Sequence, residues 1–135
     1  MYIHAYKMNL SPSVRSSIFK TMEQVMQQVE YPCFTDLRLK RIDPFYEELC
    51  LVIADVLILD SDSIITINGS KISASLVQEV YGQLHNEHLR LVFKNFNNVT
   101  SRIFNKKAYL RTALYNAVFE IESHNLNEMN CELLT

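Results

Sequence analysis

Glycine and proline are scarce in this chain of 135 residues, which has two glycines and three prolines. A fold built from many tight β-turns needs more of both, so the composition favours helices over an all-β architecture. With Gly69 and Gly82 as the only glycines, neither a dinucleotide-binding loop nor a Walker phosphate loop can be written. Hydrophobic residues make up 48% of the chain, which is ordinary for one domain that buries its own core.

The sequence also lacks catalytic and ligand-binding signatures. The three cysteines, Cys33, Cys50 and Cys131, form no CxxC pair, so neither a disulfide framework nor a zinc ribbon is suggested. His85 and His88 form an HxxH pair that no further ligand motif completes, and no nucleophile motif is present. We therefore predict a protein that is not an enzyme and that holds no metal and no cofactor.

Long apolar runs are missing as well. No run approaches the ~20 residues of a membrane span, and the longest candidate, Leu49 to Leu59, is interrupted by Asp55. The N-terminus does not have the charged-then-apolar layout of a signal peptide. We expect a cytoplasmic protein that has no membrane partner.

Helix-start signals divide the chain into five predicted helices. Ser11-Pro12 and Asp43-Pro44 each combine a capping side chain with a proline that the first turn tolerates. Ser73 and Asn86 can cap two further helices, and apolar spacing marks a fifth. The first predicted helix runs from Ser11-Pro12 to about Glu30. The other four run from Pro44 to about Leu59, from Ser73 through Leu84, from Asn86 through Phe96, and from about Asn105 to Ile121.

One β-hairpin is predicted between the second and third helices. Ile64 to Ile67 is a β-branched run, Asn68-Gly69 is a preferred two-residue hairpin turn, and Lys71-Ile72 can return. The predicted fold is one mainly α domain, a compact bundle of about five helices with one small hairpin. Residues 1–42 are an N-terminal arm and helix, residues 43–121 the main body, and residues 122–135 a flexible tail.

Apolar stripes mark the faces that we expect to be buried. In the third helix the stripe comprises Leu76, Val77, Val80 and Leu84. In the first helix it repeats at three- and four-residue steps, at Val14, Ile18, Met22, Val25, Met26 and Val29. A stripe of this kind usually belongs to the core. The alternative is a seam between copies, which would make the chain a structural oligomerisation domain.

Charge is segregated along the chain, although the net charge is only −2. Residues 45–88 contain seven acidic residues and one basic residue, residues 89–119 contain six basic residues and no acidic one, and four glutamates follow from Glu120 onward. Cations at the start of a helix oppose its dipole, so Lys106 and Lys107 need an explanation. Contact with phosphate would explain them. A solvated face balanced by the acidic half of the domain is the interpretation that we favour.

Residues Tyr46 to Asn125 resemble the C-terminal domain of RepA-type replication initiators of plasmids and conjugative elements, which is similar to the DnaD/DnaB helicase-loader domains. Three segments carry the resemblance. The hairpin Ile64 to Gly69, with Ile72 and Val77 after it, looks like the family's TIRIxG region. Leu84 to Phe93 (LHNEHLRLVF) looks like LxxxHIEYVL, with His88 on the family histidine. Asn105 to Ala117 (NKKAYLRTALYNA) is close to NxKAYLxTALYNA and is the most specific.

The resemblance implies a DnaD-like, bacterial, cytoplasmic domain that recruits host replication proteins, such as primase or the helicase and its loader, to an origin. It also implies that the domain can oligomerise or contact the DNA backbone non-specifically. On this basis we expect the last two helices to be the functional surface. The expected contact residues are Arg90, Lys94, Arg102, Lys106, Lys107, Tyr109, Arg111 and Asn116.

Two departures from the family pattern and one alternative remain. Val118 stands where the family often has a proline, so the last helix can run longer here. Residues 1–42 do not show the winged-helix domain with which such initiators read DNA, so the sequence assigns no origin recognition. The alternative function is a non-specific DNA-binding module that uses the basic region from Arg90 to Arg111.

Overall fold

The computed structural model describes residues 11–30, 35–36 and 41–134, and their side chains at 11–30 and 43–126. This part of the chain contains five helices and two pairs of antiparallel strands, which confirms a mainly helical fold with a small hairpin. The elements are α1 (Pro12–Gln28), β1 (Thr35–Asp36), β2 (Arg41–Ile42), α2 (Pro44–Leu57), β3 (Ile64–Ile67), β4 (Ser70–Ser73), α3 (Ala74–Tyr81), α4 (Asn86–Asn97) and α5 (Lys106–Leu134). The short β1–β2 pair lies in a segment for which the sequence predicted a plain connection.

Helix α2 lies at the centre of the domain. Every residue from Leu49 to Val56 is buried, including Asp55, and the helix packs against α1, α3, α4 and α5. The spacing of its apolar residues in the sequence predicts one buried face, formed by Phe45, Leu49, Val52, Ile53, Val56 and Leu57. The structure shows burial on nearly all sides of α2 instead. A helix that is apolar on nearly all sides is enclosed by other helices, as α2 is.

Helix α1 begins as its sequence predicts and packs against α2. The Ser11 hydroxyl accepts a hydrogen bond from the Val14 N–H, and Pro12 occupies the first turn. The stripe residues Ile18, Met22, Val25 and Val29 are buried in the core of this chain, whereas Val14 is exposed. This burial confirms that the stripe belongs to the core. The same residues are therefore not available on the surface to form a seam between copies.

The β3–β4 hairpin has the predicted turn. Asn68 and Gly69 both have positive φ, at 54° and 78°, as a type I′ turn requires. The register pairs Ile64 with Ser73 and Ile67 with Ser70. Ile65 and Ile67 are buried while Ile64 and Thr66 are exposed, so one face of the hairpin packs on the helices.

Two glutamine side chains satisfy the carbonyl groups at the ends of neighbouring helices. Gln28 of α1 donates from Nε2 to the carbonyls of Tyr81 and Leu84, at 3.0 and 2.8 Å. Gln78 of α3 donates in the same way to the carbonyls of Val56 and Leu59, at 3.1 and 2.8 Å. Helix ends leave such carbonyls without partners inside the helix, and these long-range bonds supply them.

Helix α3 is shorter than predicted and exposes one residue of its stripe. It ends at Tyr81 rather than Leu84, because the amides of Gln83 and Leu84 turn back to carbonyls three residues earlier, and Gln28 donates to the carbonyls of Tyr81 and Leu84. Leu84 is buried as predicted, but Leu76 is exposed. In a helix of eight residues, only the narrow side that faces α2 and α5 is covered.

Helix α4 begins with a histidine cap rather than the predicted asparagine. His85 is the residue at the N-terminal cap, and its N–H donates to Nδ1 of His88 at 2.9 Å. Asn86 is already helical, and its side-chain amide donates to Oε1 of Glu30 at 2.9 Å. The HxxH pair therefore serves the start of a helix.

Helix α5 extends well beyond its predicted end. The Asn105 side chain accepts from the Ala108 N–H at 3.0 Å, close to the predicted start, but the helix passes Ile121 and ends at Leu134. The predicted flexible tail is thus helical up to Leu134, because neither glycine nor proline interrupts residues 122–134. None of the described helices is long and apolar enough to cross a membrane. The predicted arm at residues 1–10 lies outside the described residues.

Candidate partner-binding surface on the last two helices

Helices α4 and α5 pack against each other and, with the connection between them, carry all eight residues that the sequence predicts as contacts. Arg90 and Lys94 lie on α4, Arg102 lies in the connection, and the other five lie on α5. The structure divides them into residues that hold the fold together and residues that point to solvent.

Lys106 is tied to the acidic start of α2. Its Nζ lies 2.9 Å from Oε2 of Glu48, and it also lies over the rings of Phe45 and Phe96, at 5.9 and 5.4 Å from their centroids. An exposed ion pair of this kind contributes about 0.2–1 kcal/mol to stability. The pairing with Glu48 therefore explains why a lysine, Lys106, stands at the start of α5, and no contact with phosphate is needed.

Lys107 has a stronger structural role, because its partner is buried. Its Nζ lies 3.0 Å from Oδ2 of Asp55, whose side chain sits on the central helix with 9% of the residue exposed. A buried carboxylate needs a counter-charge to offset the cost of leaving water. For Lys106 and Lys107 the structure therefore favours a basic segment balanced by the acidic half of the domain.

Tyr109 is half-buried and belongs to an aromatic cluster that joins α2, α4 and α5. Its ring centroid is 6.0 Å from that of Phe96, which in turn is 5.0 Å from that of Phe45. The whole cluster comprises Phe45, Tyr46, Phe93, Phe96 and Tyr109. Such contacts stabilise by about 0.5–1.5 kcal/mol per pair beyond area burial, so one side of the Tyr109 ring is committed to the fold.

Asn116 fastens the hairpin to α5. Asn68 donates from Nδ2 to Oδ1 of Asn116 at 2.9 Å, and Asn116 donates back to Oδ1 of Asn68 at 3.0 Å. The two amides thus form a closed reciprocal pair between the turn of the hairpin and the last helix. Asn116 was predicted as a contact residue, and this pair gives it a structural role.

Arg111 is half-buried, and its main chain is part of the core. Its carbonyl oxygen accepts a hydrogen bond of 2.6 Å from the hydroxyl of Tyr81, a residue that is wholly buried. Burial raises the pKa of Tyr81, against the smaller lowering effect of the Arg111 guanidinium, so the phenol stays protonated as a donor.

The remaining predicted residues point to solvent. Arg90, Lys94 and Arg102 are exposed, and the Arg102 guanidinium lies 5.2 Å from the ring centroid of Phe104. Phe104 is 87% exposed. The sequence offered no period from which that exposure could be expected.

Two neighbouring hollows run along α5. The first, the α4–α5 groove, encloses about 160 Å³ and is lined by Asn95, Tyr109, Thr112, Ala113, Asn116 and Glu120. The second, the distal hollow, is a shallow open area of about 510 Å³ on α5, lined by Asn116, Phe119, Glu120, Ser123 and His124. They share Asn116 and Glu120, so they form one continuous concave surface.

Of the residues that line this surface, Tyr109 and Asn116 are predicted from the sequence, whereas Asn95, Phe119, Glu120 and His124 are not. One signal could have found Phe119. It lies one position beyond the buried stripe Leu110, Leu114, Ala117 and Val118, which places a large apolar side chain outside the core.

The titratable groups nearby have structural roles. Burial lowers the pKa of His88, whose neutral Nδ1 accepts the cap hydrogen bond from His85. Burial also raises the pKa of the Cys50 thiol to about 12, which keeps it protonated. Within the described residues, no three His, Cys, Asp or Glu side chains come together as metal ligands.

These features define a mainly helical domain whose last helix carries a concave surface with an apolar wall. A family model described as "Family of unknown function (DUF6017)" matches residues 11–134, and the chain belongs to that family. No curated protein and no solved structure shows significant similarity to this chain.

Proposed function

We propose that the chain is a non-enzymatic partner-binding domain of a plasmid or conjugative-element replication initiator, and that it recruits primase or the helicase system of the host. The observation that carries the partner-binding role is the continuous concave surface of the α4–α5 groove and the distal hollow. The α4–α5 groove lies between two helices, and hydrophobic grooves of proteins accept helical segments of their partners. The replication role is supported by the resemblance of residues 46–125 to the C-terminal domain of RepA-type initiators.

The wall of the surface supports the same role. Phe119 is 47% exposed on the distal hollow and Tyr109 is half-buried in the groove, so an apolar wall is open to solvent. Aromatic side chains supply a large share of binding energy in protein interfaces. Tyr109 presents one side of its ring to the aromatic cluster and also lines the groove, which makes it a rigid part of the surface.

The test is binding of the full chain to purified replicative helicase and primase of a bacterial host. Asn95→Arg places a long cation in the groove from an exposed position on α4. We expect it to weaken binding at least tenfold, about 1.4 kcal/mol, without changing the thermal midpoint. Glu79→Arg, at an exposed position on α3 outside both hollows, is the matched control. If neither purified protein binds the wild-type chain, the proposal is wrong.

Contact with the DNA backbone is a second candidate, and one observation favours it. Arg102 is exposed beside Phe104, and an aromatic ring paired with a cation suits single-stranded nucleic acid. Lys106 and Lys107 are already paired with Glu48 and Asp55, so in the region from Arg90 to Arg111 this candidate uses the other four basic residues, Arg90, Lys94, Arg102 and Arg111, to neutralise phosphates. Any binding should show a log–log salt slope no steeper than about −3, and a much steeper slope would contradict this count.

A further inference from the structure

The distal half of α5 exposes apolar side chains on one side of the helix. Phe119 is 47% exposed and Leu126 is 54% exposed. They are seven residues apart, which places them on the same side and about 10 Å apart along the axis. From Phe119 to Leu126, Ile121 is half-buried and the other side chains are exposed, so most of this segment lies outside the core. We call Phe119, Glu122 and Leu126 the distal face.

The distal face is acidic. Glu122 lies between the two apolar residues, three positions after Phe119 and four before Leu126, and so shares their side of the helix. Glu120 lines the distal hollow beside it. A further concavity of about 210 Å³ on its other flank contains Glu87 and Glu122 together with Val118 and Ile121.

The sequence of this segment supplies carboxylates but neither lysine nor arginine. The sequence from Thr112 to Thr135 contains four glutamates and no lysine or arginine. Neither Glu120 nor Glu122 takes part in the ion pairs that join Lys106 to Glu48 and Lys107 to Asp55.

We propose that the distal face binds a cationic amphipathic helix of the partner protein. Apolar side chains of that helix contact Phe119 and Leu126, while its lysines or arginines pair with Glu120 and Glu122. The inference rests on the proposed function and names the chemistry of its partner. A second copy of this segment does not fit, because it would place glutamates against glutamates, and DNA does not fit because phosphates are repelled by the same carboxylates.

The test uses the full chain and two fluorescent model peptides. One peptide of about three heptads has leucine at its a and d positions and lysine elsewhere, and the other has glutamate in place of lysine. At about 0.15 M salt, the lysine peptide binds and the glutamate peptide does not. Phe119→Ser and Leu126→Ser each weaken binding about tenfold, and the double change Glu120→Gln with Glu122→Gln weakens it several-fold and flattens its salt dependence.

Matched controls separate the distal face from general attraction between opposite charges. Ile64→Ser removes a 62% exposed apolar residue on β3, and Glu79→Gln removes an exposed carboxylate on α3. Both variants should bind the lysine peptide within about twofold of wild type, well below the tenfold of an interface residue. If the controls weaken binding as much as the distal-face variants, or if the distal-face variants bind like wild type, the inference is overturned.

Two further measurements distinguish the ways of failing. Sedimentation of the wild-type chain should show a monomer, and a dimer that Phe119→Ser dissociates would assign the face to a second copy and overturn the inference. Purified helicase and primase are then tested on the same variants. If one of them binds and Asn95→Arg abolishes binding while Phe119→Ser does not, the proposed function stands and this inference fails. If neither binds although the peptide does, the proposed function fails.

Discussion

The reciprocal amide pair between Asn68 and Asn116 provides a sharp test, because the same pair explains a residue that the sequence assigned to partner contact. Asn116→Ala removes both hydrogen bonds from the α5 side. Asn68→Gly removes them from the hairpin side and keeps the positive φ of 54° that alanine would adopt only with strain. The double variant completes a double-mutant cycle. The stability that the chain loses through the greater backbone freedom of glycine occurs with and without Asn116 and therefore cancels.

The expected magnitude follows from the geometry. Two neutral hydrogen bonds contribute a net ~0.5–1.5 kcal/mol each. Asn68 is exposed and Asn116 half-buried, so solvent competes for both amides and the lower end applies. We expect a coupling energy of about 1 kcal/mol. A loss of unfolding free energy of that size in a variant lowers the thermal midpoint of a domain of this size by roughly 4 °C. Ile65 and Ile67 stay buried beneath the hairpin, so the hairpin remains docked.

Urea unfolding followed by circular dichroism measures the cycle, with an unchanged slope as the sign that unfolding remains two-state. A coupling energy below about 0.3 kcal/mol, within the additivity of independent sites, would refute the structural role of the pair. Asn116 would then return to the residues available for partner contact.

Three other features give measurable expectations. Lys107→Met should lower the free energy of unfolding in urea by about 2 kcal/mol, since it leaves the carboxylate of Asp55 buried without its cation, whereas Lys94→Met at an exposed site should change it by less than about 0.5 kcal/mol. Burial lowers the pKa of His88, so the folded state binds fewer protons than the unfolded state; its contribution to stability is present above the ordinary pKa of about 6.5 and is lost as pH falls below it. His88→Gln, which keeps an acceptor for the cap, should flatten the stability profile between about pH 7 and 5.5. With the other two cysteines replaced by serine, the buried Cys50 thiol, whose pKa is raised to about 12, should resist alkylation in the native state.

Each expectation can fail plainly. Equal losses of stability in the lysine variants would mean that the ion pair with Asp55 contributes nothing specific. A histidine-to-glutamine variant with an unchanged pH profile would show that His88 does not titrate on unfolding in that range. Rapid alkylation of Cys50 in the folded protein would contradict its burial.

Local signals were the part of the fold that the sequence could predict. Ser11-Pro12, Asp43-Pro44 and Ser73 start helices where expected, and Asn68-Gly69 forms the expected turn, because each signal acts within a few residues. The prediction that α5 ends at about Ile121 was wrong, because it relied on the polar composition of the residues that follow. Polar residues alone do not end a helix.

Long-range pairing was the part that the sequence could not predict. Nothing near Asp55 reveals that Lys107 neutralises it, and nothing near Gln28 or Gln78 reveals the carbonyls that they cap. The charge segregation of the sequence is resolved in the same way, since the basic start of α5 lies against the acidic central helix. These contacts depend on the arrangement of helices around α2, which local propensity does not encode.

The candidate surface lies on the last two helices, which the sequence predicted as the functional surface, but most of the predicted contact residues do not line its two hollows. Of the predicted contacts, Tyr109 and Asn116 line the concave surface, while Lys106 and Lys107 pair with carboxylates. The exposed side chain of Phe119 emerges only when the core stripe of α5 is known.

Hydrogen exchange of the full chain, alone and with purified replicative helicase, tests the partner-binding role of α5 most directly. In the free chain, the amides from Phe119 to Leu126 should exchange faster than those near the buried Leu110 and Leu114, because most side chains of this distal segment are exposed. With a bound partner, we predict protection concentrated in that distal segment and along the α4–α5 groove. Helicase that binds and protects other elements, while distal α5 exchanges as before, would contradict the account.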